Sequence, residues 1–384
     1  MQFIEGGPHI PDELIEELED GNVALFTGAG VSKGIGLPLF DELVRDVYAH
    51  LHQWMAPQEK QEFDNHNYDR TLALFETRLG GGPQVREAVQ ARLTIPSGIH
   101  LPLHSAILEL ARTPEVAYRL VTTNFDRGFV MADPSIGFET APAMPLPRRS
   151  RWRRPVHLHG LIGAEGRTLN DLVLTSADFG DAYITSGWAS RFVAELFARF
   201  SVLFIGYSVS DPVMRYLVDA LAVSKAHGEH SRQVFALVPS KSGEPDEHVR
   251  QLWAARGVAA IVYEMDATHS RLERTLVEWA GIHKSGLAGR VSVVAQLADN
   301  PPSGSGQDYH SSQMIWALSD KSGLASRKFL SLSPPIEWLE VLEQSELMKL
   351  PYASSVGQEW LGFHIQQVHP ISGSLQQWLL GHLE

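Results

Sequence analysis

A short apolar run that ends in a glycine turn, Val23-Ala-Leu-Phe-Thr-Gly-Ala-Gly-Val-Ser32, constrains the fold of this 384-residue chain more than any other feature. Short continuous apolar runs bounded by turn residues fit strands buried on both faces, and such strands belong to parallel sheets covered by helices. Glycine at 28 and 30 lets the backbone turn sharply at the strand's end, and a helix beginning there offers amide N–H groups to a negative ligand. The segment reads either as a phosphate cradle or as a glycine turn that packs a helix against a sheet. It lacks the dehydrogenase spacing G-x-G-x-x-G, and no Gly-Lys-Ser/Thr follows it, so hydride transfer and ATP hydrolysis lose support.

From Asn22 to about His283, apolar runs alternate with helical patterns, as in a doubly wound sheet. Strands are predicted at Val23–Thr27, Arg119–Thr122, Val156–His159, Ser201–Ile205, Gln233–Val238 and Val258–Tyr263. Apolar periodicity near 3.6 over Leu43–Leu51, Leu72–Leu79 and Leu103–Leu110 predicts a helical insert across residues 39–113. The expected class is therefore α/β, a Rossmann-like doubly wound parallel sheet with a helical insert and a small, mostly helical C-terminal unit. Residues 1–285 are expected to form the catalytic domain, and the Gly-, Ser- and Pro-containing stretch 286–310 a linker or loop. Residues 311–384 are expected to form the C-terminal unit, in which Ile336–Leu350 is the clearest helical signal; a tail ending in the apolar pattern Leu375–Leu383 suggests packing on the first domain or a partner, or a longer polypeptide.

Composition excludes several classes of chemistry. With no cysteine, the chain has no disulfide, no thiolate nucleophile and no sulfur-ligated zinc. A formal charge of −13 argues against direct, sequence-independent nucleic-acid binding, although Arg148, Arg149, Arg151, Arg153 and Arg154 crowd around Trp152. No stretch approaches the ~20 apolar residues of a membrane span, and the first residues are acidic rather than an export signal, so a cytoplasmic location is expected.

Three further segments carry chemistry. Leu120-Val-Thr-Thr-Asn-Phe-Asp126 places Asn124 and Asp126 just past a strand's carboxyl end, where ligands of open α/β sheets bind; the same residue types also suit a helix N-cap. In Pro155-Val-His-Leu-His-Gly160, strand alternation puts His157 and His159 on one side. A histidine at a strand's end can act as a general base, and equally can be a hydrogen-bonded core residue. A metal pair would need further ligands, and none stands nearby in sequence. Val202-Leu-Phe-Ile-Gly-Tyr-Ser-Val-Ser-Asp-Pro212 is another strand running into Gly206, Ser208 and a credible N-cap, Asp211.

In this order and spacing, Gly-Ala-Gly-Val-Ser, Thr-Thr-Asn-Phe-Asp, His-Gly and Gly-Tyr-Ser-Val-Ser-Asp together resemble the sirtuin (silent-information-regulator) family over about residues 20–265. The resemblance implies that Gly28, Ala29, Gly30 and Ser32 contact the phosphates and ribose of NAD. It implies that Asn124 and Asp126 sit in the ribose–nicotinamide pocket, that His159 is the catalytic base, and that Gly206 and Ser208 bind the adenosine side. The four-cysteine zinc module of the family's protein deacylases is missing, and Gly36-Leu-Pro-Leu-Phe-Asp41 lacks the Asp and Arg that those enzymes place around the Phe. Thr175-Ser-Ala-Asp-Phe179, followed by Tyr183, looks like the zinc-free bacterial branch whose members consume NAD in antiphage defence.

The implied activity is NAD hydrolysis with NAD as substrate and no zinc, Asn124 placing the water or ribose hydroxyl and His159 taking a proton. A zinc-free deacylase or ADP-ribosyltransferase, and a non-catalytic sensor of NAD or ADP-ribose, remain open. Because unrestrained NAD loss poisons a cell, control by a homo-oligomer or by a regulatory sensor or ATPase partner is expected.

Overall fold

The structure is a computed structural model and describes residues 1–208, 232–241, 245–266, 269–301, 309–320 and 322–343. Two compact units are present, one of residues 13–273 and one of residues 1–12 with those from 274 onward.

The first unit is built on a seven-stranded, all-parallel sheet in the order β3-β4-β2-β1-β5-β6-β7. The strands are β1 Val23–Thr27, β2 Leu120–Thr122, β3 Glu139–Thr140, β4 Val156–His157, β5 Ser201–Ile205, β6 Val234–Ser240 and β7 Ala259–Glu264. β5 pairs with β1 along its whole length and β2 with Leu25–Thr27, and all five residues of β1 are buried. This is why the run Val23–Thr27 is uniformly apolar apart from its terminal threonine. Register aligns Ala24 with Val202 and Val202 with Val234, and Phe26 with Phe204 and Phe204 with Ala236, so these side chains share one face. The helix Trp188–Arg199 contributes Phe192, Val193, Leu196 and Phe197 to the same core, beside the fully buried Trp152.

All six predicted strands are present, with ends shifted by up to two residues. The seventh strand, the short β3 at the edge of the sheet, is not among those predicted, because two residues are too few to display alternation. Five helices fill the expected insert: Phe40–His50, Pro57–Asp64, Tyr68–Arg78, Pro83–Arg92 and Pro102–Leu110. The first four surround their own core, including Leu43, Val47, Leu72, Phe75, Val85 and Val89. The arginine cluster wraps a buried cation: Arg119 donates to the carbonyls of Trp152 and Arg149, and its guanidinium lies 5.4 Å from the Trp152 ring.

The second unit differs from expectation in two places. The stretch expected as a linker carries a helix, Leu287–Leu297, because Val293 and Val294 find a buried face between the flanking glycines and serines. The first residues of the chain join this unit rather than the sheet: Phe3 stacks on Trp279 at 5.2 Å, and Gln313 donates to the Phe3 carbonyl. The compact boundary therefore falls within the helix Ser270–Ser285 instead of after it. A helix at Trp338–Glu343 occupies part of the expected 336–350 segment, preceded by a turn at 336–337; residues 344–350 and Leu375–Leu383 lie outside the described residues. No helix among the described residues is long and apolar enough to cross a membrane.

Candidate active site

Because β4, β2 and β1 are adjacent and parallel, the residues just past their carboxyl ends emerge side by side. They converge on one cleft. One part of its wall is polar: Ser32 follows β1, Thr123, Asn124 and Asp126 follow β2, and His159 follows β4. The other part is apolar, formed by Leu37, Pro38, Phe40, Leu43 and Leu93 from the insert and its approach, with Phe125, Val173 and Phe179.

Of the residues expected from sequence, Ala29, Ser32, Asn124, Asp126 and His159 line this cleft. Gly28, Gly30 and Gly206 do not, and Ser208 is exposed beyond β5. Asp211 lies outside the described residues.

Of the two readings of the glycine turn, the open amide cradle is largely closed off. Gly28 N–H donates to the Ile205 carbonyl and Gly30 N–H to the Gly206 carbonyl, each at 3.0 Å. The N–H groups of Val31 and Ser32 turn back onto Gly28 and Ala29, leaving only that of Ala29 without a partner among the described residues. These glycines are a packing device. A Cβ on Gly30 would stand 2.8 Å from the Gly206 Cα, and one on Gly28 would stand 2.8 Å from the Tyr207 ring. Tyr207 in turn donates to the Thr27 carbonyl at 3.1 Å and accepts from the Thr123 hydroxyl at 2.7 Å, so it ties the ends of β1, β2 and β5 together.

The polar wall is a connected network. Ser32 Oγ donates to Asp126 Oδ2 at 2.8 Å, and Gly128 N–H donates to Asp126 Oδ1 at 2.7 Å. Asn124 Nδ2 donates to Ser32 Oγ and to the Gly28 carbonyl, both at 3.2 Å. A carbonyl can only accept, so the carboxamide orientation is fixed, and Oδ1 is left without a protein partner among the described residues. His104, on the helix Pro102–Leu110, completes the network with Nε2 at 3.3 Å from Ser32 Oγ. No sequence motif marked it, because it sits inside the apolar period of the insert.

The two histidines of β4 part company. The strand ends at His157, so alternation does not carry on to His159, which stands in the following turn. His157 is fully buried, does not line the cleft, and donates from Nδ1 to the Asn124 carbonyl at 3.0 Å. It supports the backbone of the β2 loop. His159 faces the cleft, with Nε2 2.9 Å from the Tyr183 hydroxyl and its ring edge-on to Phe179 at 5.1 Å. Burial pushes the His159 imidazole down to about 3, and burial lowers His157 as well. Both rings are therefore neutral near pH 7.

Behind the cleft, Arg86 fastens the insert to the segment that carries Val173 and Phe179. Its guanidinium pairs with Glu76 at 3.0 Å and Asp178 at 2.7 Å, and donates to the carbonyls of Leu169 and Leu172. Asp178 also caps the helix Ser176–Gly180 by accepting from Thr175 N–H at 2.8 Å.

A relative in Sinorhizobium fredii (strain NBRC 101917 / NGR234), the uncharacterized protein y4cA, is 30% identical over 348 residues, 88% of this chain and 29% of that protein. The chain thus spans under a third of the length of the curated relative it matches. A crystal structure of a Sir2 homolog–NAD complex aligns with 73% of this chain and 98% of its own at 15% identity, with a TM-score of 0.35. The family model that matches is the SIR2-like domain, over residues 119–261, a span that takes in β2 through β7 with Asn124, Asp126 and His159, and over that span the chain is similar to the SIR2-like family.

Proposed function

We propose that this chain hydrolyses NAD at the nicotinamide–ribose bond, giving nicotinamide and ADP-ribose. The observation that supports this most is the meeting of Ser32, Asn124, Asp126 and His159 in one cleft at the carboxyl ends of three neighbouring strands, within or beside the segment that matches the SIR2-like domain. In the reaction, the C–N bond to the ring breaks and its electron pair leaves with neutral nicotinamide. The oxygen of water then bonds to the ribose carbon, and the water's proton is given up. Asn124 Oδ1, the one carboxamide atom free of the protein network, accepts a hydrogen bond from the attacking water or a ribose hydroxyl. His159 receives the proton and passes it to solvent. Asp126 stabilises the developing positive charge on the ribose. Ala29 and Ser32 border the ligand, and Gly28, Gly30 and Gly206 hold the wall that it rests on.

A second reading, NAD-dependent removal of an acyl group, draws on the apolar wall formed by Leu37, Phe40, Leu43 and Leu93, which suits a hydrocarbon. The two are separated by incubating the purified protein with NAD alone and with an acyl-lysine peptide added, following nicotinamide and ADP-ribose by chromatography. Hydrolysis predicts equal release of both products without peptide, lowered roughly 10²–10⁴-fold in His159→Ala and Asn124→Ala. Release only with peptide favours the second reading; full activity in both variants sinks the assigned roles. As a biological setting we propose an NAD-depleting effector of bacterial antiphage defence, restrained by assembly or by a sensor or ATPase partner. The motif resemblance supports that setting.

A further inference from the structure

We propose that His104 is a positioning residue: by donating Nε2–H to the Ser32 hydroxyl it fixes that hydroxyl, and through it the Asn124 carboxamide and the Asp126 carboxylate at the cleft wall. The inference deepens the NAD-cleavage reading and rests on it for its kinetic consequence.

The argument is a count of protons around one oxygen. A serine hydroxyl has a single hydrogen to donate and two lone pairs to accept with. Asp126, as a carboxylate, can only accept, so the Ser32 hydrogen goes to Oδ2 at 2.8 Å. Asn124 Nδ2 gives one hydrogen to the Gly28 carbonyl, and its other fills the first lone pair of Ser32 at 3.2 Å. The contact with His104 Nε2 at 3.3 Å can then have only one polarity, with the ring donating into the second lone pair. Ser32 is saturated, and its hydroxyl has no freedom to turn.

The surroundings of the ring agree. His104 is completely buried and does not line the cleft, so it acts on the ligand only through Ser32. Its Nδ1 is buried and has no partner among the described residues, as expected of the neutral ring protonated on Nε2, and burial lowers its proton affinity in the same sense. Phe129 holds the plane of the imidazole edge-on at 4.9 Å. Space for it is kept by Gly128, where a Cβ would stand 2.4 Å from Nε2 and 2.9 Å from Asp126 Oδ1. The helix of the insert and the loop after β2 are thus shaped around one donated hydrogen.

The test combines two variants with a measurement on the wild-type protein. His104→Gln keeps an N–H donor at similar reach, whereas His104→Leu fills the space without one. In wild-type protein labelled with nitrogen-15, the ring of His104, assigned by its loss in His104→Gln, is expected to carry its proton on Nε2 at pH 7. In His104→Leu the side-chain amide signals of Asn124 shift or broaden, and kcat for NAD cleavage falls roughly ten- to a hundredfold with KM little changed. His104→Gln restores both. A proton on Nδ1 alone in the wild type overturns the proposal. So does a folded His104→Leu with unchanged Asn124 signals and unchanged kcat, or a His104→Gln as impaired as His104→Leu. If the wild type does not cleave NAD, the functional reading fails by itself, and the ring tautomer with the Asn124 signals still decides the role of His104. If His104→Leu does not fold, the wild-type tautomer and His104→Gln decide it.

Discussion

The Tyr183 hydroxyl lies 2.9 Å from Nε2 of His159, a ring that lines the cleft while Tyr183 does not. Two tautomers fit this contact, but only one suits a base. If Nε2–H donates to the phenol oxygen, Nδ1 keeps its lone pair for the ligand; if Tyr183 donates instead, Nδ1 carries the hydrogen and cannot take another. The proposed role of His159 thus requires Tyr183 to act as acceptor. Tyr183→Phe removes the oxygen while keeping the ring that stacks on Phe179 at 5.9 Å. We expect a folded variant whose NAD turnover is reduced roughly tenfold or more, less than on loss of the base itself. Turnover at the wild-type level in Tyr183→Phe would show that this contact does not set the tautomer.

Burial of His159 also links stability to acidity. Its affinity for protons is pushed from the ordinary 6.5 down to about 3, so between those values the unfolded chain binds a proton that the folded chain does not. Stability rises with pH in that window. The full contribution is present above about 6.5 and is lost as pH falls towards 3, with a slope near ~1.4 kcal/mol per pH unit for this one group. Urea denaturation at pH 5 and pH 6 measures the slope, and His159→Gln is expected to show a shallower one by about that amount. Equal slopes in the two proteins would mean that the ring is not held neutral.

Much of this architecture is legible in the sequence, and the failures have physical causes. Buried parallel strands advertise themselves as apolar runs, so β1 and β5 stand at the predicted positions. Asn124, Asp126 and His159 could be placed because each follows such a run directly. His104 could not, because its helix reads as part of the insert's core, and a histidine amid Leu103, Ile107 and Leu108 gives no sign of what lies across from it. The one available signal was a polar residue on an otherwise apolar face. The glycine turn could be read two ways, as a phosphate cradle or as a packing turn, and its N–H groups are spent on β5 and the turn itself. Composition cannot distinguish a glycine that admits a ligand from one that admits another backbone.

That packing role makes its own prediction. Gly206 has φ +77°, where a side chain is strained, and a Cβ there would stand 2.7 Å from the Val31 backbone nitrogen. Gly206→Ala therefore meets backbone on one side and an unfavourable dihedral on the other, with no flexible side chain to yield. We expect a loss of at least ~2 kcal/mol in chemical denaturation, combining about 1–3 kcal/mol of steric crowding with the backbone strain. Gly34→Ala is the control, since nothing lies within 4 Å of a Cβ there. Similar stabilities for the two variants would refute the close approach of the β1 and β5 loops.

Arg86 offers the sharpest test of how the cleft wall is held. Its side chain is 6% exposed and holds Glu76 and Asp178, whose side chains are 16% and 22% exposed, while also satisfying two backbone carbonyls. Burial already raises the Glu76 carboxyl, against the lowering pull of Arg86. Arg86→Met keeps much of the volume but leaves two partly buried carboxylates facing one another, a change that costs about 3–5 kcal/mol when a buried pair is broken from one side. Without the lowering pull of Arg86, the Glu76 carboxyl of the variant binds a proton more readily folded than unfolded, so its deficit relative to wild type shrinks as pH falls from 7 to 5. Adding Glu76→Gln to Arg86→Met should recover part of the loss at pH 7 and flatten that pH dependence. Because Asp178 caps the short helix bearing Phe179, loss of Arg86 should also loosen the apolar wall and raise the KM for NAD. A stable Arg86→Met with unaltered KM would show that the insert is fixed to the cleft by its apolar core alone.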